Sequence, residues 1–196
     1  MQTTSVSLLD RLASAGENSD WQRLLQIYRP FVFAVVKSYP DLESQADDIS
    51  QETMMILLRE LPTFKRQRKG SFRTWLRGII VNQLRKAARK SRRYRQPASD
   101  GPRLEEQIED LNNPESLYCQ QWEAEHDKQV LDRAMEIVRA ETKPDTWKAF
   151  QLYALEDKKP NVVANQLGLS TNMVLLAKSR VLKALREEVA GLVDDF

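Results

Sequence analysis

Apolar residues recur every three or four positions along most of this chain, the signature of helices that bury one face. Leu24, Leu25, Tyr28, Phe31, Val32, Val35 and Val36 form the first such run, with Pro30 bending or splitting it. A second helix is predicted from about Leu42 to Leu61, stopped by Pro62. A polar, basic loop follows from Thr63 to Gly70, and Ser71 is placed as N-cap of a long helix from Phe72 into Arg92-Arg93. Residues 96–116 are rich in breakers and acids and read as a linker. Beyond them a helix is expected over roughly Pro114 to Glu141, then one opened by Pro144 that carries Trp147, Phe150 and Leu155. The alternation of strands is essentially absent. The predicted fold class is all-α: two small helical domains, residues 1–95 and 117–196, joined by a flexible acidic linker at 96–116.

The chain has 196 residues, 41% of them hydrophobic, enough for real cores. No stretch approaches the roughly 18 apolar residues a membrane span requires, so no membrane insertion is expected. Met1 to Ser5 has neither the basic start nor the apolar core of a secretory signal, and a cytoplasmic protein is expected. A single cysteine, Cys119, excludes an internal disulfide framework and cysteine-based zinc sites. With His126 the only histidine, neither histidine–metal catalysis nor a Ser–His triad is expected. No Gly-rich phosphate loop or nucleophile–base pair is present. No enzyme activity, metal or cofactor is expected.

The overall charge of +2 conceals a strong segregation. Residues 1–58 carry net −4, residues 59–95 net +13, residues 97–145 net −8 and residues 146–196 net +1. A block of +13 calls for a polyanion, and nucleic acid is the commonest. The acidic block after it could shield that surface or be a solvated linker.

Residues 160–186 have the spacing of a helix-turn-helix. Ala164 is small where two helices must approach, Gly168 gives the turn its permissive backbone, and Ser170 can cap the next helix. Val174, Ala177, Val181 and Leu185 form the inward stripe, leaving Ser170, Thr171, Asn172, Lys178, Ser179 and Lys183 outward, near phosphates or base edges. An ordinary helical hairpin is the plainer reading of the same pattern.

Two further helical faces carry chemistry. Asp48, Gln51, Glu52 and Met55 fall at i, i+3, i+4 and i+7, a polar acidic stripe opposite Ile49, Thr53, Ile56 and Leu57. Such a stripe is either a solvated face or a docking surface. On the next helix Phe72, Trp75, Leu76, Ile79, Ile80 and Leu84 build an apolar face. Asn82, Arg85, Lys86, Arg89 and Arg93 lie opposite, suited to a phosphate backbone with Asn82 able to reach a base edge. Upstream, Phe64, Lys65, Arg66, Arg68 and Lys69 set cations beside an aromatic, a combination that can hold an unstacked base.

Together these residues resemble the extracytoplasmic-function group of the sigma-70 family, the bacterial RNA polymerase sigma factors. Asp47-Asp48-Ile49-Ser50-Gln51-Glu52-Thr53 is similar to the family's acidic helix motif. Gly70-Ser71-Phe72-Arg73-Thr74-Trp75-Leu76, with Asn82 and the basic run, is similar to its promoter-melting and −10-reading segment. The helix-turn-helix ending Ala-Lys-Ser-Arg-Val-Leu (177–182) is similar to its −35 module. Ser5 to Leu12, Trp21 and Tyr28-Arg29-Pro30 further resemble a planctomycete-type branch. The resemblance covers roughly residues 5–95 and 130–190.

The resemblance implies that Asp47, Asp48, Gln51 and Glu52 dock on the clamp helices of the polymerase largest subunit. The flap of the second-largest subunit is a further implied contact. Phe64, Lys65, Arg66 and Phe72 would lie beside the melted strand, and Asn82, Arg85, Lys86 and Arg89 on the −10 element of promoter DNA. Ser170, Thr171, Asn172, Lys178, Ser179 and Arg180 would meet the −35 element. The same resemblance admits an anti-sigma factor as a partner. Two departures stand out: Lys143-Pro144-Asp145-Thr146-Trp147 replaces the usual opening of the second module, and Met173-Val174-Leu175-Leu176 makes the second helix of the motif unusually apolar. A stand-alone helix-turn-helix repressor and an RNA-binding protein remain open as alternatives. The first predicts duplex binding without polymerase, the second a preference for RNA.

Overall fold

The computed structural model describes residues 7–65, 70–92 and 104–193. They form α1 (Leu8–Ala15), α2 (Asn18–Lys37), α3 (Ala46–Glu60), α4 (Ser71–Arg92), α5 (Leu104–Asn112), α6 (Leu117–Glu141), α7 (Pro144–Phe150), α8 (Pro160–Leu167) and α9 (Thr171–Val189). A 3₁₀ segment, Pro40–Gln45, leads into α3, and a π-helical turn, Gln151–Leu155, follows α7. Among the described residues there is no strand, only an isolated bridge between Ala190 and Val193. The fold is all-α.

Local chemistry sets the helix ends. Ser7, Ser116 and Ser170 each accept a hydrogen bond from the backbone N–H three residues on, capping α1, α6 and α9. Ser71 does not cap α4 as expected. The Thr74 N–H donates instead to the Gly70 carbonyl at 2.9 Å, and Ser71 is the first helical residue. Gly70 has φ +72°, which glycine adopts without the steric cost a side chain would bring, so the start of α4 is set one residue earlier. Pro30 does not split its helix either. α2 runs unbroken over 20 residues because Leu24, Ile27, Tyr28, Phe31, Val32 and Val36 are all buried on one face, which outweighs the missing backbone donor.

The main core runs through both halves of the chain. It joins Leu8 and Leu12 of α1, the buried face of α2, Leu57 of α3, Leu76, Ile80 and Leu84 of α4, Val130, Ala134 and Val138 of α6, and Val181, Leu185 and Val189 of α9. The segment expected as a flexible linker contains α5, which packs on α4 and α6 with Ile108 and Leu111 fully buried. Burying two such side chains contributes about 1.5–3 kcal/mol each toward holding this nine-residue helix against the body despite its acids. A second, smaller core joins Ala149, Leu152, Val163, Ala164, Val174 and Ala177. α9 therefore has its first turns in the small core and its last turns in the main one.

Candidate functional site

The acidic stripe of α3 is on the surface. Asp47, Asp48, Gln51 and Glu52 are exposed, and Met55 is 58% exposed, while Ile49, Ser50, Thr53, Met54 and Leu57 are buried on the opposite side. Two grooves flank the stripe. One, of about 570 Å³, lies between α2 and α3 and is lined by Leu25, Phe33, Asp47, Gln51, Met54 and Met55, among others. The other, of about 320 Å³, lies between α3 and α4, where Asp48, Glu52 and Met55 face Gln83, Lys86 and Lys90. Lys90 was not singled out from the sequence, although it sits one turn beyond Lys86 at i+4 and so shares its face.

The outer face of α4 presents Asn82, Lys86 and Arg89 to solvent, with Arg85 half-buried. Two acids that are remote in sequence meet this face. Lys86 Nζ lies 2.7 Å from Glu52 Oε2, so the acidic stripe and the basic face adjoin as one surface. Arg85 donates from Nε (3.1 Å) and Nη2 (2.7 Å) to Glu109 Oε1 on α5. Glu109 is 61% exposed, and an ion pair that open to water contributes about 0–1 kcal/mol, so a phosphate can displace it. Part of the acidic block thus lies on the basic block.

Phe64 and Phe72 sit differently from expectation. Phe72 is 1% exposed, with its ring centroid 5.5 Å from Tyr28, 5.6 Å from Phe64 and 5.6 Å from Trp75. It is a core residue and has no surface to offer DNA, because i, i+4, i+8 spacing carries Phe72, Leu76 and Ile80 together onto the buried side. Phe64 is half-buried, its ring 4.8 Å from Trp75, and Lys65 is exposed. Arg66, Arg68, Lys69 and Arg93 lie outside the described residues.

Two cations of the +13 block are turned inward. Arg73 Nη1 donates to both oxygens of Asp127 at 2.7 Å, and Arg77, 5% exposed, donates to Glu123 at 2.8 Å and to the Cys119 sulfur. Glu123 and Asp127 stand one turn apart on α6, so the two α4 cations meet an acidic ladder rather than a polyanion. Asp127 continues the network. Burial works against its charge, but hydrogen bonds from His126 and Arg73 outweigh that and hold its carboxyl below the usual range. The carboxylate only accepts, so His126 Nδ1 donates to it at 2.8 Å, and Nε2 accepts from the Tyr28 hydroxyl at 3.2 Å. Burial keeps this imidazole neutral, pushing its pKa down although the Asp127 hydrogen bond opposes the shift. The same burial pushes the Cys119 thiol up, which makes it inert as a nucleophile. Arg23 of α2 pairs with Glu141 and Glu188, tying α6 and the end of α9 to the same body.

In the second half, α8 and α9 make the expected turn. Gly168 closes α8 in the left-handed region (φ +64°), and Ser170 Oγ accepts from the Met173 N–H at 3.2 Å. Val174, Ala177, Val181 and Leu185 are buried. Ser170, Thr171, Asn172, Ser179 and Arg180 are exposed, while Lys178 lies with Nζ 4.9 Å from the centroid of the Tyr153 ring.

The arrangement is an all-helical body with adjoining acidic and basic faces. Among the described residues, no group of acids, histidine or cysteine is placed to hold a metal, and no helix is long and apolar enough to cross a membrane. Residues 24–94 match the family model of Sigma-70 region 2. The match spans most of α2, all of α3 and all of α4, and so includes both the acidic stripe and the basic face. It supports a sigma-70 family member and, in general terms, an RNA polymerase sigma factor: a transcription initiation factor whose partners are core RNA polymerase and promoter DNA.

Proposed function

We propose that this chain is a sigma factor of the extracytoplasmic-function type, which binds core RNA polymerase in the cytoplasm, recognises −10 and −35 elements and assists promoter melting. Residues 1–95 act as region 2 and residues 117–196 as region 4, with residues 96–116 connecting them. The observation that carries the reading is the adjacency, within the family-matched segment, of an exposed acidic stripe and an exposed basic face. Asp47, Asp48, Gln51 and Glu52 dock on the clamp helices of the largest subunit, beside the apolar groove that Met55 borders. Asn82, Arg85, Lys86 and Arg89 meet the −10 element, while Phe64, Lys65 and Arg66 stand by the melted strand. The helix-turn-helix, through Ser170, Thr171, Asn172, Lys178, Ser179 and Arg180, meets the −35 element. The flap of the second-largest subunit and an anti-sigma factor are further partners on this reading.

The test is transcription by purified core polymerase on a pool of promoter fragments, with and without the chain. Discrete start sites that need the chain are expected. Arg85→Ala with Arg89→Ala should lower promoter opening and leave core binding intact, and Asp48→Ala with Glu52→Ala should do the reverse. Identical behaviour of the two pairs would refute this division of labour. Duplex binding that needs no polymerase would favour a stand-alone helix-turn-helix regulator.

A further inference from the structure

The outward side of α9 carries residues that the proposed −35 contacts leave unused. At about 100° per residue, the buried stripe of Val174, Ala177, Val181 and Leu185 fixes the opposite direction near Asn172, Leu176, Ser179 and Lys183. Leu176 is 42% exposed at the middle of that face, and Leu175 is 44% exposed at its edge. Two leucines are thus interleaved with two short polar side chains on the same open surface. Residues 158–186 contain six lysines and arginines and no acid, and the acids that meet them, Glu156 on Lys158 and Glu187 on Lys183, stand just beyond the two ends of the segment. The surface is therefore basic on balance and suits an anionic partner.

An apolar centre within a basic surface fits one feature of duplex DNA. In the major groove thymine presents an O4 acceptor and a C5-methyl group, and the methyl is the only apolar mark among the four base edges. Asn172 and Ser179 are short enough to let a helix lie close to the groove floor, and both can donate to O4. Leu175 and Leu176 then meet the methyls. We propose that Leu175 and Leu176 determine specificity by burying thymine C5-methyl groups in the upstream element. This rests on the helix-turn-helix reading above and adds to it the base that is read.

The experiment uses holoenzyme assembled from core polymerase and the full chain. Duplexes randomised upstream of a fixed −10 region are selected for binding. In the enriched sequence each thymine is then replaced singly by deoxyuridine, which removes the methyl and keeps O4 and base pairing. At one or two positions affinity should fall about fourfold per methyl lost. Leu175→Ala with Leu176→Ala should bind thymine and deoxyuridine duplexes equally, with core binding unchanged and the thermal midpoint lowered by only a few degrees, since both side chains are already partly in solvent. Wild-type binding that ignores every methyl overturns the inference, as does a double variant that still discriminates. Loss of core binding in that variant also overturns it, by placing the leucines against protein. If no upstream sequence is enriched at all, the helix-turn-helix reading itself fails; enrichment without methyl dependence removes only the leucines' role.

Discussion

Replacing Phe72 separates a packing role from a DNA contact. Its ring is 1% exposed and touches Tyr28, Phe64 and Trp75 with centroids 5.5–5.6 Å away. Truncation of a buried phenylalanine to alanine costs about 3–5 kcal/mol, and three lost aromatic pairs place this site in the upper half of that range. For a chain of this size each kcal/mol lowers the thermal midpoint by about 2–4 °C, so about 4 kcal/mol corresponds to a fall of roughly 8–16 °C. Phe72→Leu keeps most of the apolar volume and should cost about 1–1.5 kcal/mol. Urea unfolding followed by circular dichroism gives both numbers. Permanganate reactivity of unpaired thymines then reads promoter opening in holoenzymes carrying each variant. A Phe72→Leu holoenzyme should open promoters as the wild type does. Loss of under about 1 kcal/mol in Phe72→Ala, or a stable Phe72→Leu that fails to open DNA, would show that the ring works on the nucleic acid after all.

Three other perturbations follow from the charged contacts. Glu123→Gln leaves the buried Arg77 guanidinium without its carboxylate and should destabilise the chain by about 2–4 kcal/mol in urea unfolding; Arg77→Met leaves Glu123 partly open to water and still 3.8 Å from Arg73, and should cost less. Burial holds the folded pKa of His126 below its ordinary value, so the unfolded state takes up a proton first as pH falls. Stability should be full above about pH 6.5 and decline below it by up to about 1.4 kcal/mol per pH unit, and His126→Gln should flatten that slope. Asp127, with its pKa held below the ordinary value, acts only at lower pH. Glu109→Gln should raise non-specific duplex affinity by at most about fivefold by freeing Arg85, an effect that fluorescence anisotropy should see vanish at high salt.

The helices were legible because burial dominates their spacing. The inward stripe of α9, the Gly168 turn and the Ser170 cap could be read residue by residue, since each is decided within one or two turns of chain. The helix in the supposed linker was hidden by its neighbours. Leu104, Ile108 and Leu111 fall at i, i+4 and i+7, but the surrounding acids, prolines and asparagines gave the segment the composition of a tether. The inward turn of Arg73 and Arg77 had no local signal. Their acids lie about 50 residues away on α6, and only the packing of α4 against that helix brings them into reach. A charge count over a segment cannot distinguish a cation that faces solvent from one that is already neutralised. The same holds for Phe72, whose partner Tyr28 belongs to another helix.

The membership of α9 in two cores makes it a cantilever. It is 19 residues long, about 28 Å of stiff rod, clamped at its far end by Val181, Leu185 and Val189 in the main body and carrying Ser170 to Ser179 near its tip. From the middle of the clamp at Leu185 to Thr171 the free lever is about 21 Å, so a tilt of roughly 10° swings the tip by about 4 Å, comparable with the spacing of about 3.4 Å between successive base pairs. Small changes in side-chain volume at the clamp would therefore act as aiming errors, shifting which bases the tip addresses while leaving every residue at the tip unaltered.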